Sequence, residues 1–252
     1  MNIEKIKCIN TFTLKLIAII AMTIDHAGLM FGLDYIDGLY YYGDLMSSET
    51  YELMRNIGRI AFPIFCYMIV EGFFYTKSVT KYILRLGVFA LISQIPFNLL
   101  VYRTPWEKNC NLNVYFTLLL GLITIAAIDE CIAQCKESDY KDKWLIGAAA
   151  IIALVIMSLA DNFHTDYGSY GVLLILVFYI FRNKPIFLCV VMYLVTYWYT
   201  ENNFSESQLY AVYSLVFILL HNRKKGPSMK YLFYTYYPLH LTLFFLLWKF
   251  VI

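Results

Sequence analysis

The residues most able to do chemistry in this chain are Asp25 and His26, side by side near the end of a long apolar run, Leu14 to Phe31. An aspartate at the centre of a membrane-spanning helix costs about 2.5–3.5 kcal/mol on insertion scales, so this pair is a functional candidate that needs a partner. Adjacent helical residues point about 100° apart, so the two cannot pair face to face. A neutral imidazole takes up a proton near neutral pH, which makes His26 a candidate general base, the alternative being an interhelical hydrogen bond. For Asp25 we expect an ion pair with Arg59 or another outer group, either catalytic or only locking two helices.

Two other polar residues stand beside prolines that interrupt helical hydrogen bonding. Pro63 follows Arg59 by four residues, and Pro96 follows Gln94 by two. A proline has no amide hydrogen, so the carbonyl four residues before it loses its helical partner. At about 1.5 Å per residue, His26 and Gln94 both lie about 18 Å from the inner ends of their helices. Unpaired backbone at that depth needs protein or water beside it. We therefore predict a polar cavity open to the outer side.

Two further polar residues could line the outer cavity or its entrance, together with Gln94. His240 is a second histidine within an apolar segment, about 12 Å beyond the segment's start at Leu232. Asn113 stands at the beginning of the fourth apolar segment, where it either lines an outer entrance or caps the helix.

Three charged residues stand near the inner ends of the apolar segments, and the cation among them that lies in line with His26, Lys15, would suit a long anionic ligand. Lys15 precedes His26 by eleven residues and so lies on the same stripe of the helix, about 16 Å away. A lysine at the start of a helix is also a common topology anchor. Glu71 and Arg85 each stand about one turn from the inner end of consecutive helices, and we expect them to pair with each other.

The composition is that of an integral membrane protein. Of 252 residues, 60% are hydrophobic and 15% are charged, and the mean hydropathy is +0.60, which is far more apolar than a soluble domain. The six cysteines show no metal-ligand or disulfide spacing, so we expect no metal. The chain has neither a phosphate-binding glycine loop nor a basic stripe suited to nucleic acid. No cleavable signal peptide is apparent.

Nine segments are long and apolar enough, or nearly so, to span a bilayer, which needs about 20 residues. They are approximately 14–33, 57–75, 81–101, 113–132, 144–162, 168–182, 185–200, 207–222 and 232–252. Lys and Arg gather before the first segment and after the second, fourth, sixth and eighth, as in cytoplasmic loops. The sequence predicts an all-α polytopic protein of the plasma or inner membrane, one domain over 1–252, with its amino terminus inside and its carboxyl terminus outside.

Five stretches carry more specific motifs, in order over most of the chain. They are LKLIAIIAMTIDH (14–26), IGRIAFPIFCYMIVEGFFYT (57–76), YILRLGVFALISQIPFNLL (82–100), DYGSYGVLL (166–174) and YYPLHL (236–241). Their Asp-His, Gly-Arg-x-x-Phe-Pro and Tyr-Pro-x-His elements resemble the TraX family. That family takes its name from a conjugation protein required to N-acetylate the F-type pilin subunit, and it is similar to a wider group of polytopic acyltransferases that use acyl-coenzyme A.

The resemblance implies acetyl-coenzyme A from the cytoplasm as the acetyl donor, and a pilin-like, peptide or other extracytoplasmic acceptor. It also implies functional roles for the positions that match the family pattern. These are Asp25, His26, Gly58, Arg59, Phe62, Pro63, Glu71, Arg85, Gln94, Pro96, Gly168 and His240.

The function that we expect is therefore transfer of an acetyl group to an amine, or less readily a hydroxyl. His26, Asp25 and Arg59 are the catalytic candidates, and His26 acts either as a base or as the carrier of the acetyl group. Arg59 or Gln94 would stabilise the oxyanion. On this expectation, the candidates for binding the acceptor are Gln94, Asn113 and His240, and those for binding acetyl-coenzyme A are Lys15, Arg85 and Glu71. Two alternatives stay open: a proton-coupled secondary transporter that uses Asp25, His26 and His240, and an assembly factor that only holds a partner helix.

Overall fold

Almost every element of the protein is an α-helix in the structure, which is a computed structural model. It describes residues 7–36, 39–43, 45–107, 110–138, 142–203, 206–227 and 230–250. The helices are α1 (Thr11–Gly32), α2 (Ser48–Gly58), α3 (Ala61–Tyr75), α4 (Val79–Tyr102), α5 (Val114–Glu137), α6 (Trp144–Asn162), α7 (Gly168–Ile180), α8 (Pro185–Asn203), α9 (Ser214–Leu219) and α10 (Lys230–Phe250). A two-stranded antiparallel hairpin, β1 (Leu33–Ile36) and β2 (Leu39–Tyr42), follows α1. The predicted all-α class is confirmed, and the small hairpin adds to it.

Five helical stretches in the described part of the chain are long and apolar enough to cross a membrane. They are Thr11–Gly32, Ser48–Tyr75, Val79–Tyr102, Val114–Glu137 and Trp144–Asn162. A bilayer core offers no water to backbone N–H and C=O groups, so helices, which bond these groups internally, are the spanning elements expected here. The chain is a multi-helix membrane protein.

The second predicted segment, 57–75, differs from the structure. The helical stretch that contains this segment begins nine residues earlier, at Ser48, because it includes α2. A turn at Arg59 and Ile60 separates α2 from α3. Pro63 therefore lies in the first turn of α3 and does not kink a continuous helix. Proline is well tolerated there, because the first amide groups of a helix have no helical partner. Pro96, by contrast, lies inside α4 as predicted.

The eighth predicted segment, 207–222, also differs. It consists of a 3₁₀ helix (Glu206–Tyr213) followed by the short α9. The other segments agree with α1, α4 to α8 and α10 to within a few residues, although those near the carboxyl terminus are described only to residue 250.

The chain divides into two compact units. The first unit contains residues 1–65, 92–110 and 189–252, and the second unit contains residues 66–91 and 111–188. In the first unit, α1 packs against α2 and α10, and Asn10 caps α1 by accepting a hydrogen bond from the amide of Thr13 at 2.9 Å. In the second unit, α5, α6 and α7 pack against one another.

Candidate functional site

The first feature of the candidate site is the contact between α1 and α2 in the first unit, where Gly58 faces Asp25. A Cβ atom on Gly58 would collide with the side chain of Asp25, so glycine lets the two helices approach closely. In this contact, Nη1 of Arg55 donates to Oδ2 of Asp25 at 2.7 Å. Both side chains are largely buried, with 19% of Arg55 and 13% of Asp25 exposed. This ion pair holds α1 to α2 beside His26.

A second arginine, Arg59, acts on the same carboxylate. Arg55 and Arg59 are four residues apart, which places them on one side of the helix end, and the charge of Arg59 interacts with that of Asp25. We expected Arg59 or another outer group as the partner of Asp25, and the direct partner is Arg55. Arg55 therefore bonds the carboxylate directly, and the charge of Arg59 acts on the same carboxylate.

The second feature of the site is a pair of histidines. Nδ1 of His26, on α1, lies 2.7 Å from Nε2 of His240, on α10. The two rings are stacked, with centroids 5.0 Å apart and planes inclined by 13°. His240 is buried, with 5% of its surface exposed, whereas His26 is half-buried. The structure thus joins two residues that the sequence singled out separately, one as a catalytic candidate and one as a substrate-binding candidate.

The hydrogen-bond partners assign a tautomer to each ring. Nδ1 of His240 lies 2.8 Å from the carbonyl oxygen of Tyr236, which only accepts, so Nδ1 carries the hydrogen. In a neutral ring Nε2 of His240 then accepts, and Nδ1 of His26 is its donor. Nε2 of a neutral His26 is left with a lone pair. These two hydrogen bonds therefore orient His26 through Nδ1 and leave Nε2 as the atom that can act as a base.

Tyrosines from α10 surround the pair. The ring of Tyr236 stacks on His240 at 4.9 Å, and its hydroxyl lies 2.7 Å from Oγ1 of Thr23 on α1. The ring of Tyr237 meets both imidazoles edge to face, at 5.9 Å from His26 and 5.8 Å from His240. Thr23 also donates to the carbonyl of Ile19 at 2.7 Å, so its donor is taken and Tyr236 is the donor between them.

Two more candidates belong to the first unit. Nε2 of Gln94 donates to Oδ1 of Asn98 at 2.9 Å, and Asn98 in turn donates to the carbonyl of Pro105 at 3.0 Å. Nζ of Lys15 lies over the ring of Phe233, 5.1 Å from its centroid. A cation over an aromatic face near a helix end fits an anchoring role for Lys15.

The remaining candidates lie in the second unit. Asn113 is buried and caps α5 by accepting from the amide of Tyr115 at 3.0 Å, while its Nδ2 donates to the carbonyl of Ala90 at 2.8 Å. The cap that the sequence offered as one alternative for Asn113 is thus present. Arg85 lies over the ring of Tyr82, with 5.7 Å between the guanidinium carbon and the ring centroid.

The expected pairing of Glu71 with Arg85 is not the one that the structure shows. Nε of Arg182 donates to Oε1 of Glu71 at 2.7 Å, and Nη2 donates to Oε2 at 3.2 Å. A planar guanidinium reaches both oxygens of one carboxylate in this way. Glu71 is therefore held by Arg182, from the short connection after α7, because helix packing and not sequence proximity decides which charges meet.

Comparisons with known proteins place the chain in a family. The model of the TraX protein family matches residues 11–248. The chain belongs to the TraX family. It is similar to a protein of Dichelobacter nodosus named probable fimbrial assembly protein FimC, serogroup H1, with 31% identity over 262 residues and 93% of each chain covered. It also resembles the uncharacterized protein RP591 of Rickettsia prowazekii (strain Madrid E), with 26% identity over 172 residues, 68% of this chain and 55% of that protein. No solved structure matches the chain.

The residues of this TraX protein that sequence reasoning missed are Arg55, as the partner of Asp25, and Arg182, as the partner of Glu71. For Arg55 a signal existed, because its spacing of four from Arg59 places both on one helical face. For Arg182 the separation of 111 residues from Glu71 left no local signal. Within the described part of the chain, no group of three or more His, Cys, Asp or Glu is placed to hold a metal ion.

Proposed function

We propose that this TraX protein is a membrane-embedded acetyltransferase that moves an acetyl group from acetyl-coenzyme A to an acceptor on the outer side of the plasma or inner membrane. The proposal includes the nine-span topology with a cytoplasmic amino terminus. The observation that carries it is the hydrogen bond between His26 and His240, which leaves a lone pair on Nε2 of His26 inside a helical membrane protein.

In the proposed reaction, Nε2 of His26 takes the proton of an acceptor amine while the amine nitrogen attacks the thioester carbonyl carbon. When the tetrahedral intermediate collapses, the C–S bond breaks and His26 returns the proton to the departing sulfur. Arg59 stabilises the negative oxygen of the intermediate. An acetyl-histidine on His26, formed first and then attacked by the acceptor, is the alternative order of steps.

The remaining charges take supporting roles. Asp25 and Arg55 hold α1 to α2, and the charge of Arg59 lies close enough to interact with Asp25. His240 orients His26, so we assign it a positioning role where the sequence suggested substrate binding. Lys15 or Arg85 is the candidate for contact with the coenzyme A phosphates. Glu71, which the sequence suggested for cofactor binding, is bonded to Arg182, and we assign it a structural role.

The acceptor that we propose is the amino terminus of a peptide or pilin-like subunit. The support is that the Dichelobacter nodosus relative, similar over nearly its whole length, is named a probable fimbrial assembly protein. An N-terminal amine also suits a base that must remove a proton as the nitrogen attacks.

The test is label transfer from acetyl-coenzyme A, labelled on the acetyl group, by the purified protein in proteoliposomes. Two acceptors are compared: a peptide with a free amino terminus and the same peptide with a blocked terminus. We expect label on the free peptide only, with equimolar release of coenzyme A. Without label transfer or coenzyme A release from well-folded protein, the acetyltransferase proposal fails. In that case, proton-coupled flux that is lost in His26→Ala would favour a transporter, since paired histidines also relay protons.

A further inference from the structure

Arg103, which neither the sequence motifs nor the proposed reaction uses, binds the end of α1. It follows α4 directly and has a positive φ of 60°, which is uncommon for a residue with a side chain. Its Nη2 donates to the carbonyl of Met30 at 2.9 Å and to the carbonyl of Leu33 at 2.8 Å. Its Nη1 contacts Sδ of Met30 at 2.7 Å and the carbonyl of Leu100.

These contacts complete the carboxyl end of α1. The last carbonyl groups of a helix have no helical partner and carry partial negative charge, so a guanidinium beside them is stabilising. Met30 is fully buried and follows His26 by four residues, which places both on the same face of α1. Arg103 therefore holds the turn of α1 that directly follows His26.

The same guanidinium contacts α10. Its central carbon lies over the ring of Trp248, 4.9 Å from the ring centroid. His240, Phe244 and Trp248 succeed one another at intervals of four residues and so lie along one face of α10. His240 and Phe244 are in edge contact at 5.8 Å, and Phe244 meets Phe31 of α1 at 5.7 Å.

Contacts between α1 and α10 therefore form a series that Arg103 completes. Thr23 meets Tyr236, His26 meets His240 and Phe31 meets Phe244. At the same end lie Met30 of α1 and Trp248 of α10, both of which the guanidinium of Arg103 contacts. The hydrogen bond of the histidine pair is short-range and directional, so it needs both helices held at a fixed separation.

We propose that Arg103 is a positioning residue that joins the carboxyl ends of α1 and α10 and thereby keeps His26 within hydrogen-bonding distance of His240. Its effect on the rate of acetyl transfer rests on the proposed function, but its effect on the geometry of the histidine pair does not. Lysine cannot replace it, because only the planar fork of arginine donates to several carbonyl groups while stacking on an aromatic ring.

The geometric part is tested by modification of histidines with diethyl pyrocarbonate, with peptide mass spectrometry to follow each of the four histidines separately. In Arg103→Ala we expect His26 and His240 to react several-fold faster than in the wild type. The exposed His164 and the buried His221 serve as internal references, and their rates should stay unchanged. A faster reaction of His221 together with His26 and His240 would mean general unfolding and would overturn the proposal. Unchanged rates at His26 and His240 would overturn it as well.

The functional part is tested by a double-mutant cycle in the acetyl-transfer assay. Arg103→Ala should lower kcat about 10²-fold, as expected for a small misplacement of a catalytic group. In a His240→Ala background the same substitution should have little further effect, because the contact that it positions is already gone. Arg103→Lys should restore little activity. Additive losses, or full activity in Arg103→Lys, would contradict a positioning role.

Tyr179→Phe is the matched control, since it removes one partly buried hydrogen bond, to Asp129 at 2.6 Å, within the second unit. This variant should leave the rates of histidine modification unchanged, and it should not alter acetyl transfer or its dependence on His240. If the wild type transfers no acetyl group but Arg103→Ala still exposes the histidine pair, the positioning role stands and only the proposed function fails.

Discussion

Each of the two units contains a pair of polar side chains among apolar helices. The two pairs differ in how many of their hydrogen-bonding atoms are used within the pair. In the second unit both oxygens of Glu71 are bound by Arg182, and the guanidinium lies over the rings of Phe74 at 4.2 Å and Tyr75 at 5.7 Å. In the first unit one imidazole bonds to the other, and Nε2 of a neutral His26 keeps its lone pair.

This difference distinguishes a pair with a structural role from a pair that could take part in a reaction. A charge pair whose donors and acceptors are used on each other, and whose cation is covered by aromatic rings, holds helices together. The rings around it continue this packing, because Phe74 is stacked on Tyr179, whose hydroxyl donates to Asp129 of α5. The histidine pair uses only part of its capacity, so it is the pair to which we assign reactivity.

The largest effect that we predict concerns the architectural pair. Replacing Arg182 by Gln leaves the carboxylate of Glu71 buried without its cation, which should lower the free energy of unfolding by about 3–5 kcal/mol. The double variant Glu71→Gln, Arg182→Gln should lose less than the sum of the two single losses, since no buried charge remains. Unfolding in detergent, followed by circular dichroism, measures the free energy of unfolding of the single variants and of the double variant. A loss in the double variant equal to the sum of the two single losses would show that Glu71 and Arg182 are not coupled.

The next effect concerns the reactive pair. His240→Ala removes the acceptor that orients His26, so acetyl transfer should fall about 10²-fold while acetyl-coenzyme A binding is kept. His221→Ala is the control, because it removes another buried histidine of the first unit, one that contacts Thr11 at 3.1 Å. Equal losses of transfer in both variants would attribute the effect to instability alone.

The smallest effect concerns the contact that sets α1 against α2. Gly58→Ala places a Cβ atom on the side chain of Asp25, so the free energy of unfolding should fall by about 1–3 kcal/mol. Gly147→Ala in α6 is the control, because nothing lies within 4 Å of its added Cβ. Alanine favours a helix over glycine, so this control should be neutral or slightly stabilising. Equal stability of the two variants in thermal unfolding would argue against close packing at Gly58.

The sequence was sufficient to predict most of the helices and to single out His26 and His240 as candidate residues. Long apolar runs fix where helices lie, and ionisable residues such as His26 and His240 within those runs are unusual enough to be noticed. It was not sufficient to predict that the two pair, because they are separated by 214 residues and their contact depends on how α1 and α10 are rotated.

The same reason explains the wrong pairing predicted for Glu71. Arg85 is close to it along the chain, whereas Arg182 is close in space. Charge spacing within one helix gives local information, as for Arg55 and Arg59, but tertiary packing selects partners between helices. Helix α2 was missed for a different reason, because its sequence SETYELMRNIG is polar and therefore does not read as part of an apolar membrane-spanning run.

The most direct test of the account is acetyl transfer by His26→Ala compared with His164→Asn, at matched amounts of folded protein. Removal of a general base should lower the rate by about 10²–10⁴-fold. Asparagine tolerates the positive φ of 47° at position 164, which is exposed, so that variant should match the wild type. Loss of transfer in His26→Ala alone is the result that we predict. Transfer at the wild-type rate in His26→Ala would contradict the assignment of His26 as the reactive residue.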